Sequence, residues 1–359
     1  MIIHLVGGFL GSGKTTAIIH AAKILMAQGK KVGIVTNDQG KYLVDTAFFR
    51  LNQLPVTEVT GGCFCCNYHD LETLIDRMNE DISPDVLFAE SVGSCTDLIA
   101  TVIKPFLTLN NTKYIISSFS VFVDARLLRM KMAGSNLPFS ESVTYIFDKQ
   151  IEESNLLVVN KIDLIPPNAL LEFKRQVEHT YYGKDIIFQN SLMSSDVQKW
   201  VTLFSSSEEA YPEQSMTVDY QLYGDGESKL AWLDGKFTIT GENDALSKGM
   251  NQFIDQTVTS LSNQAVIGHL KMVIQDQQNA QKISITTADK TEWKLTWGGI
   301  SGSKVDLLLN ARVEFDHAQL KKLISDTLQR ACSEHNLILT TNTLESFYPG
   351  LPNPRYRIK

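Results

Sequence analysis

Over roughly the first 200 residues, short apolar runs alternate with longer amphipathic stretches. "MIIHLVG" predicts a buried strand, "KTTAIIHAAKILMAQG" a helix closing at Gly29, and "KKVGIVTND" a second strand. Further strands are expected at "DVLFAES", "IISSFSVFVDA", "SNLLVVNKID" and "KDIIFQNS", with helices at "HDLETLIDRMNED" and "PNALLEFKRQVEHTYYG". Near-continuous apolar strands separated by helices imply a parallel sheet covered on both faces, an α/β architecture. The polar stretch "LFSSSEEAYPEQSM" then breaks the rhythm. Beyond it, "KLAWLDGKFTIT", "AVIGHLKMVIQD", "QKISITTADKTEWKLTW" and "KVDLLLNARVEF" read as longer strands. They are interleaved with helices near "ENDALSKGMNQFIDQTVTSL" and "HAQLKKLISDTLQRAC". The expected organisation is a larger domain over 1–205 and a smaller α+β domain over 216–359, with a mainly antiparallel sheet.

Composition narrows the class. With 359 residues, 43% hydrophobic and 20% charged, the chain has the balance of a soluble globular protein. A net charge of -7 argues against nucleic acid or an anionic membrane as partner. No apolar run reaches the roughly 20 residues that a membrane span requires. Five cysteines, an odd number in a long chain, do not form a disulfide framework, and a reducing cytoplasm is the expected setting.

The motif at the first strand–helix junction carries the clearest chemistry. Gly8, then four residues that include Gly11 and Ser12, then Gly13, Lys14 and Thr15 make G-x-x-x-x-G-K-[ST], with Thr16 following. Glycines let the backbone wrap a phosphate, Lys14 supplies a cation for the β/γ-phosphates, and the Thr15 hydroxyl suits Mg²⁺. The helix that follows directs its positive end at the same anion. Downstream, an apolar run delivers Asn160, Lys161 and Asp163 as N-K-x-D. A carboxylate at Asp163 can accept from N1–H and the 2-amino group of guanine, which adenine cannot match, so GTP is expected over ATP. Lys161 can lay its stem along the base, and Asn160 can tie this loop to the phosphate loop. In "DVLFAESVG", Glu90 ends a strand where a carboxylate can hold the Mg²⁺ shell, and Gly93 can bring a backbone N–H to the γ-phosphate.

"GGCFCC" crowds Cys63, Cys65 and Cys66 into one predicted loop. If that loop is extended, Cys63 and Cys65 project to one side with Cys66 beside them. Three thiolates can take three corners of a Zn²⁺ tetrahedron, and Co²⁺ or Cu(I) would also be accepted. The three leave a fourth position open. Thiol redox chemistry and plain structural burial are the competing readings of the thiols, and metal storage or sensing with incidental GTP hydrolysis competes with metal delivery. Cys95 reads as a small buried residue, and the seven scattered histidines as surface or core residues.

In this order, GGFLGSGKTT, TNDQG, GGCFCCN, ESVG and NKID resemble the CobW-like family of SIMIBI-type P-loop GTPases, over roughly residues 1 to 200. The resemblance implies a slow GTPase that carries Zn²⁺ or Co²⁺ to a client metalloprotein or a cofactor-maturation enzyme, corrinoid pathways included. A GTP-dependent homodimer is a further expectation. It implies catalytic roles for Lys14, Asp38 and Glu90, and metal ligation by Cys63, Cys65 and Cys66. Thr15 and Glu90 would serve Mg²⁺. Asp38 and Asp45 match acidic positions after the second strand. The chain departs from the family's N-E-F-G-E there, reading "NDQGK", with Lys41 in place of an acid.

Overall fold

The computed structural model describes residues 1–41, 43–109, 114–206, 215–289 and 293–359. Its contacts separate into two units. One comprises Met1–Gln39, Asn52–Gly226 and Leu351–Lys359; the other comprises Gly40–Leu51 and Glu227–Gly350. The division therefore does not follow the contiguous ranges 1–205 and 216–359. Residues 40–51 are drawn into the second unit and residues 351–359 return to the first. The polar stretch read as the boundary lies largely outside the described residues.

The first unit is built on β1 (Ile2–Gly8), β2 (Val32–Asn37), β3 (Val56–Val59), β4 (Val86–Glu90), β5 (Ile115–Ile116), β6 (Ser120–Asp124), β7 (Leu156–Asn160) and β8 (Asp185–Gln189). Their order is β3-β2-β4-β1-β6-β7-β8, with β5 also on β1, and every pairing is parallel. Strands β4, β6 and β7 are buried at every residue. That is why they read as unbroken apolar runs rather than alternating ones. The register sets Glu90 beside Val6 and Thr36, and Asp124 beside Asn160, so the carboxyl ends of five strands share one edge. In open α/β sheets this edge is where ligands bind.

Two strand expectations need correction. "IISSFSVFVDA" is two strands, because β5 meets β1 at Ile2–Ile3 and β6 meets it at Val6–Gly8. Ser117 between them and Ser120 at the start of β6 turn to His4, whose ring nitrogens lie 2.7 Å from Ser117 Oγ and 3.0 Å from Ser120 Oγ. Strand β3 was not expected at all.

The second unit holds β9 (Leu230–Thr240), β10 (Val266–Gln275), β11 (Ala280–Ile285), β12 (Lys304–Glu314) and β13 (Ile338–Phe347), in the order β11-β10-β12-β9-β13 and antiparallel throughout. Helices Asn243–Gln264 and His317–Glu334 bury Phe253, Ile254, Leu320 and Ile324 in its core. The strand expected through "QKISITTADKTEWKLTW" stops at Ile285. There Asp289 Oδ2 accepts from Thr286 N–H at 3.0 Å and Thr286 Oγ1 at 2.8 Å, closing a turn. Helix Val44–Leu51 belongs to this unit, where Asp45 pairs with Lys271 and, at 3.0 Å, with Lys282.

Candidate functional site

The phosphate-type loop joins β1 to helix Lys14–Ala27. Gly8 has φ +123, and a Cβ there would fall 2.1 Å from the Phe122 carbonyl oxygen of the neighbouring strand. Gly13 has φ +94, and a Cβ there would meet Asn160 Nδ2 at 2.4 Å. Neither position admits a side chain, so the loop lies hard against β6 and β7. Gly11 also has positive φ, Ser12 is buried, and Thr16 is half-buried in the first helical turn. The Lys14 ammonium donates to the carbonyls of Gly8 (2.7 Å) and Phe9 (3.2 Å), which holds it inside the loop. Thr15 Oγ1 donates to Glu90 Oε1 at 2.8 Å, with both side chains buried. Two hard oxygens from different elements, side by side, fit an oxygen-preferring cation such as Mg²⁺.

At the end of β7, Asn160 Nδ2 donates to the Ser12 carbonyl at 2.7 Å, the tie between loops that the sequence suggested. Its Oδ1 accepts from Ser191 N–H (3.1 Å) and Ser191 Oγ (2.8 Å). Lys161 has φ +62 and pairs with Asp124 at 3.1 Å. Burial would raise the Asp124 carboxyl, but Lys161 and Arg126 hold it below its usual value. Asp163 stands exposed in a short 3-10 turn, Ile162–Leu164, open to a ligand. Asp124 and Ser191 escaped the sequence reading. Their signal was nonetheless available, since "SVFVD" ends in an acid as "VLFAE" does, and "FQNS" closes β8 with polar residues.

The thiol loop follows β3. It is not extended. Cys66 and Asn67 N–H both donate to the Cys63 carbonyl, at 3.0 and 2.9 Å, so the chain turns back before entering helix Tyr68–Ile82. The turn gathers all three sulfurs: Cys63 to Cys65 2.8 Å, Cys63 to Cys66 3.3 Å, Cys65 to Cys66 3.9 Å. The three form a group able to hold a metal ion. Cys63 and Cys65 are buried and Cys66 is half-buried. Bonds from Cys65, Cys66 and Cys95 hold the Cys63 thiol well below its usual pKa, while the bonds of Cys65 to Cys63 and Cys66, together with burial, push Cys65 up. The cluster thus favours one thiolate, at Cys63.

One side chain joins this loop to the sheet edge. Asn37, the last residue of β2, donates through Nδ2 to Gly62 O (2.7 Å) and Val59 O (3.2 Å), and its Oδ1 accepts from Phe64 N–H at 2.7 Å. Asp38 follows, buried, with its N–H on Val59 O at 3.1 Å and its Oδ1 accepting from Gln39 N–H at 2.8 Å. The segment 351–359 crosses the same loop. Arg355 N–H donates to Cys65 O at 2.8 Å and Asn353 N–H lies 3.4 Å from Cys66 Sγ.

The model of the CobW/HypB/UreG nucleotide-binding domain matches residues 2–188, just over half of the chain. The chain belongs to the CobW/HypB/UreG family. It is 26% identical over 193 residues to the zinc chaperone CobW of a Sinorhizobium species, covering 48% of this chain and 54% of that protein. With the zinc chaperone YeiR of Escherichia coli K12 it shares 28% over 200 residues, 50% of this chain and 55% of the other. The urease accessory protein UreG of Metallosphaera sedula is 34% identical over 176 residues, 44% of this chain and 71% of UreG. The matched region spans about half the length of the two zinc chaperones.

Within this family member, Gly8 to Thr16, Glu90 and Asn160 to Asp163 meet along one sheet edge, with Asn37 linking that edge to the thiols. Gly93 lies beside Leu10 of the phosphate loop, where a Cβ would come within 2.8 Å of Leu10 Cδ2. Asp45 belongs to the second unit, where burial would raise its carboxyl but Lys271 and Lys282 hold it well below the usual range. Lys41, also in that unit, faces Glu345 at 3.4 Å. His4 is a core residue, stacked on Phe204. Among the described residues, no helix is long and apolar enough to cross a membrane.

Proposed function

We propose that this protein binds and slowly hydrolyses GTP, and uses the nucleotide state to control a transition metal, Zn²⁺ or Co²⁺, held by Cys63, Cys65 and Cys66 for delivery to a client metalloprotein or maturation enzyme. The observation that supports it best is Asn37, whose one amide ties the last residue of a central nucleotide-edge strand to both sides of the thiol loop. A shift of the β2 end on nucleotide binding would move the sulfurs with it.

Lys14 and the loop N–H groups would neutralise the triphosphate, Thr15 and Glu90 would hold Mg²⁺, and Asp38 would orient the attacking water. Asp163 would select guanine. Metal binding at the thiols must displace protons, so affinity should weaken as pH falls, all the more because Cys65 and Cys66 are raised. The three named relatives are two zinc chaperones and a urease accessory protein, which agrees with metal as cargo and an enzyme as recipient.

Competition against a chelating dye measures Zn²⁺ affinity in the presence of a non-hydrolysable GTP analogue with Mg²⁺, of GDP, and of no nucleotide. The analogue should tighten binding by about 10-fold, within the range typical of coupled sites. Equal affinities in all three conditions would reject nucleotide control.

A further inference from the structure

Gln150 lies on helix Glu141–Glu153 and is 2% exposed. Its Nε2 donates to two carbonyls of the loop that leaves β4 at Glu90: Cys95 O at 2.8 Å and Gly93 O at 3.1 Å. A primary amide has two N–H donors, and here both engage carbonyls two residues apart. The Oε1 of Gln150 is buried with no hydrogen-bond partner among the described residues. An unsatisfied buried acceptor is costly, and a methionine of the same length would fill the space without it. The amide is therefore explained by the loop it holds and not by packing.

That loop is a tight turn at the nucleotide edge. Ser91 N–H donates to Val6 O at 3.0 Å, continuing the ladder between β4 and β1, and Cys95 N–H closes the turn on Val92 O at 3.0 Å. From Val92 to Cys95 only Gly93 is not buried. It faces the phosphate loop, since a Cβ there would lie 2.8 Å from Leu10 Cδ2, 3.1 Å from Leu10 Cα and 3.2 Å from Leu10 N. Gly93 is thus caught between the phosphate loop on one side and the Gln150 amide on the other. We propose that Gln150 is a positioning residue for the γ-phosphate, fixing the Gly93 turn against the phosphate loop before nucleotide arrives. A turn set in advance needs no reordering when the third phosphate enters, so its contacts count in full toward GTP and not toward GDP. Gln150 acts through the turn and needs no contact with the nucleotide. This inference rests on the reading of the sheet edge as a GTP site.

The full chain is titrated with GDP and with a non-hydrolysable GTP analogue, each with Mg²⁺, and GTP turnover is measured alongside. Gln150→Met keeps the length of the side chain without its donors. It should weaken analogue binding about 10-fold, slow turnover by a similar factor and leave GDP binding unchanged. Gln150→Asn keeps the amide but is one methylene too short to reach both carbonyls, and it should show the same split. Near-ultraviolet circular dichroism reports on the folding of both variants. Equal weakening of GDP and analogue in a folded variant would assign Gln150 a structural role and overturn the proposal, as would no change in either. An unsubstituted protein that neither prefers the analogue nor hydrolyses GTP would instead overturn the nucleotide reading itself.

Discussion

His4 shows how a single buried residue gives a whole chain a pH response. Enclosed by Ser117, Ser120, Trp200 and Phe204, it has its pKa lowered by burial to about 3. Between pH 6.5 and about 3 the unfolded chain binds a proton there that the folded state does not, so acid favours unfolding. From pH 7 to pH 5 this group should remove about 2 kcal/mol of stability. His4→Gln should be less stable at pH 7 but lack that part of the slope, as urea denaturation at both pH values would show. At Asp163 the prediction concerns specificity. Asp163→Asn should weaken GTP binding on the order of 100-fold by removing two charge-assisted hydrogen bonds, with ATP binding little changed; titration calorimetry with both nucleotides checks it. Residues of this kind were legible where chemistry and chain position coincide: Lys14, Glu90, Asn160 and Asp163 each end or begin a predicted element. Asn37 was not. Its role depends on partners 22 to 27 positions away, which only the register of the sheet brings near.

Among the elements, buried strands and long helices declared themselves, since a fully enclosed parallel strand must be apolar along its length. Those with mixed faces did not. Strand β3 reads "VTEV", with three of its four residues only half-buried, and β13 is a Thr-rich strand with an exposed face. Most opaque is "LPNPRYRIK", with no periodicity and two prolines. It is held in the first unit by particular bonds. Arg357 Nε donates to Asp97 Oδ2 at 2.7 Å and its guanidinium to Met216 O at 2.9 Å, while Ile358 N–H reaches Ala100 O at 2.9 Å. Arg357→Ala should release this segment from the thiol loop. If the lost contacts amount to about 1.4 kcal/mol, alkylation of Cys66 should accelerate about 10-fold. An unchanged rate would mean that the segment does not shield the sulfur.

For the whole molecule, the order of elements announced an α/β unit followed by a mainly antiparallel one, and both are present. The linear boundary was the misleading part, because a sequence read from left to right assigns neighbours to the same body. Here residues 40–51 are spent on the second unit and residues 351–359 on the first. A ribosome delivers residues in order, so the first unit cannot be finished until all of the second has emerged. The backbone groups of Asn353 and Arg355 that bond the thiol loop arrive only after the second unit has been made. Until residues 353–355 emerge, a nascent chain lacks the bonds from Arg355 N–H to Cys65 O and from Asn353 N–H to Cys66 Sγ, and the Cys66 sulfur is then more open to oxidants and to adventitious copper.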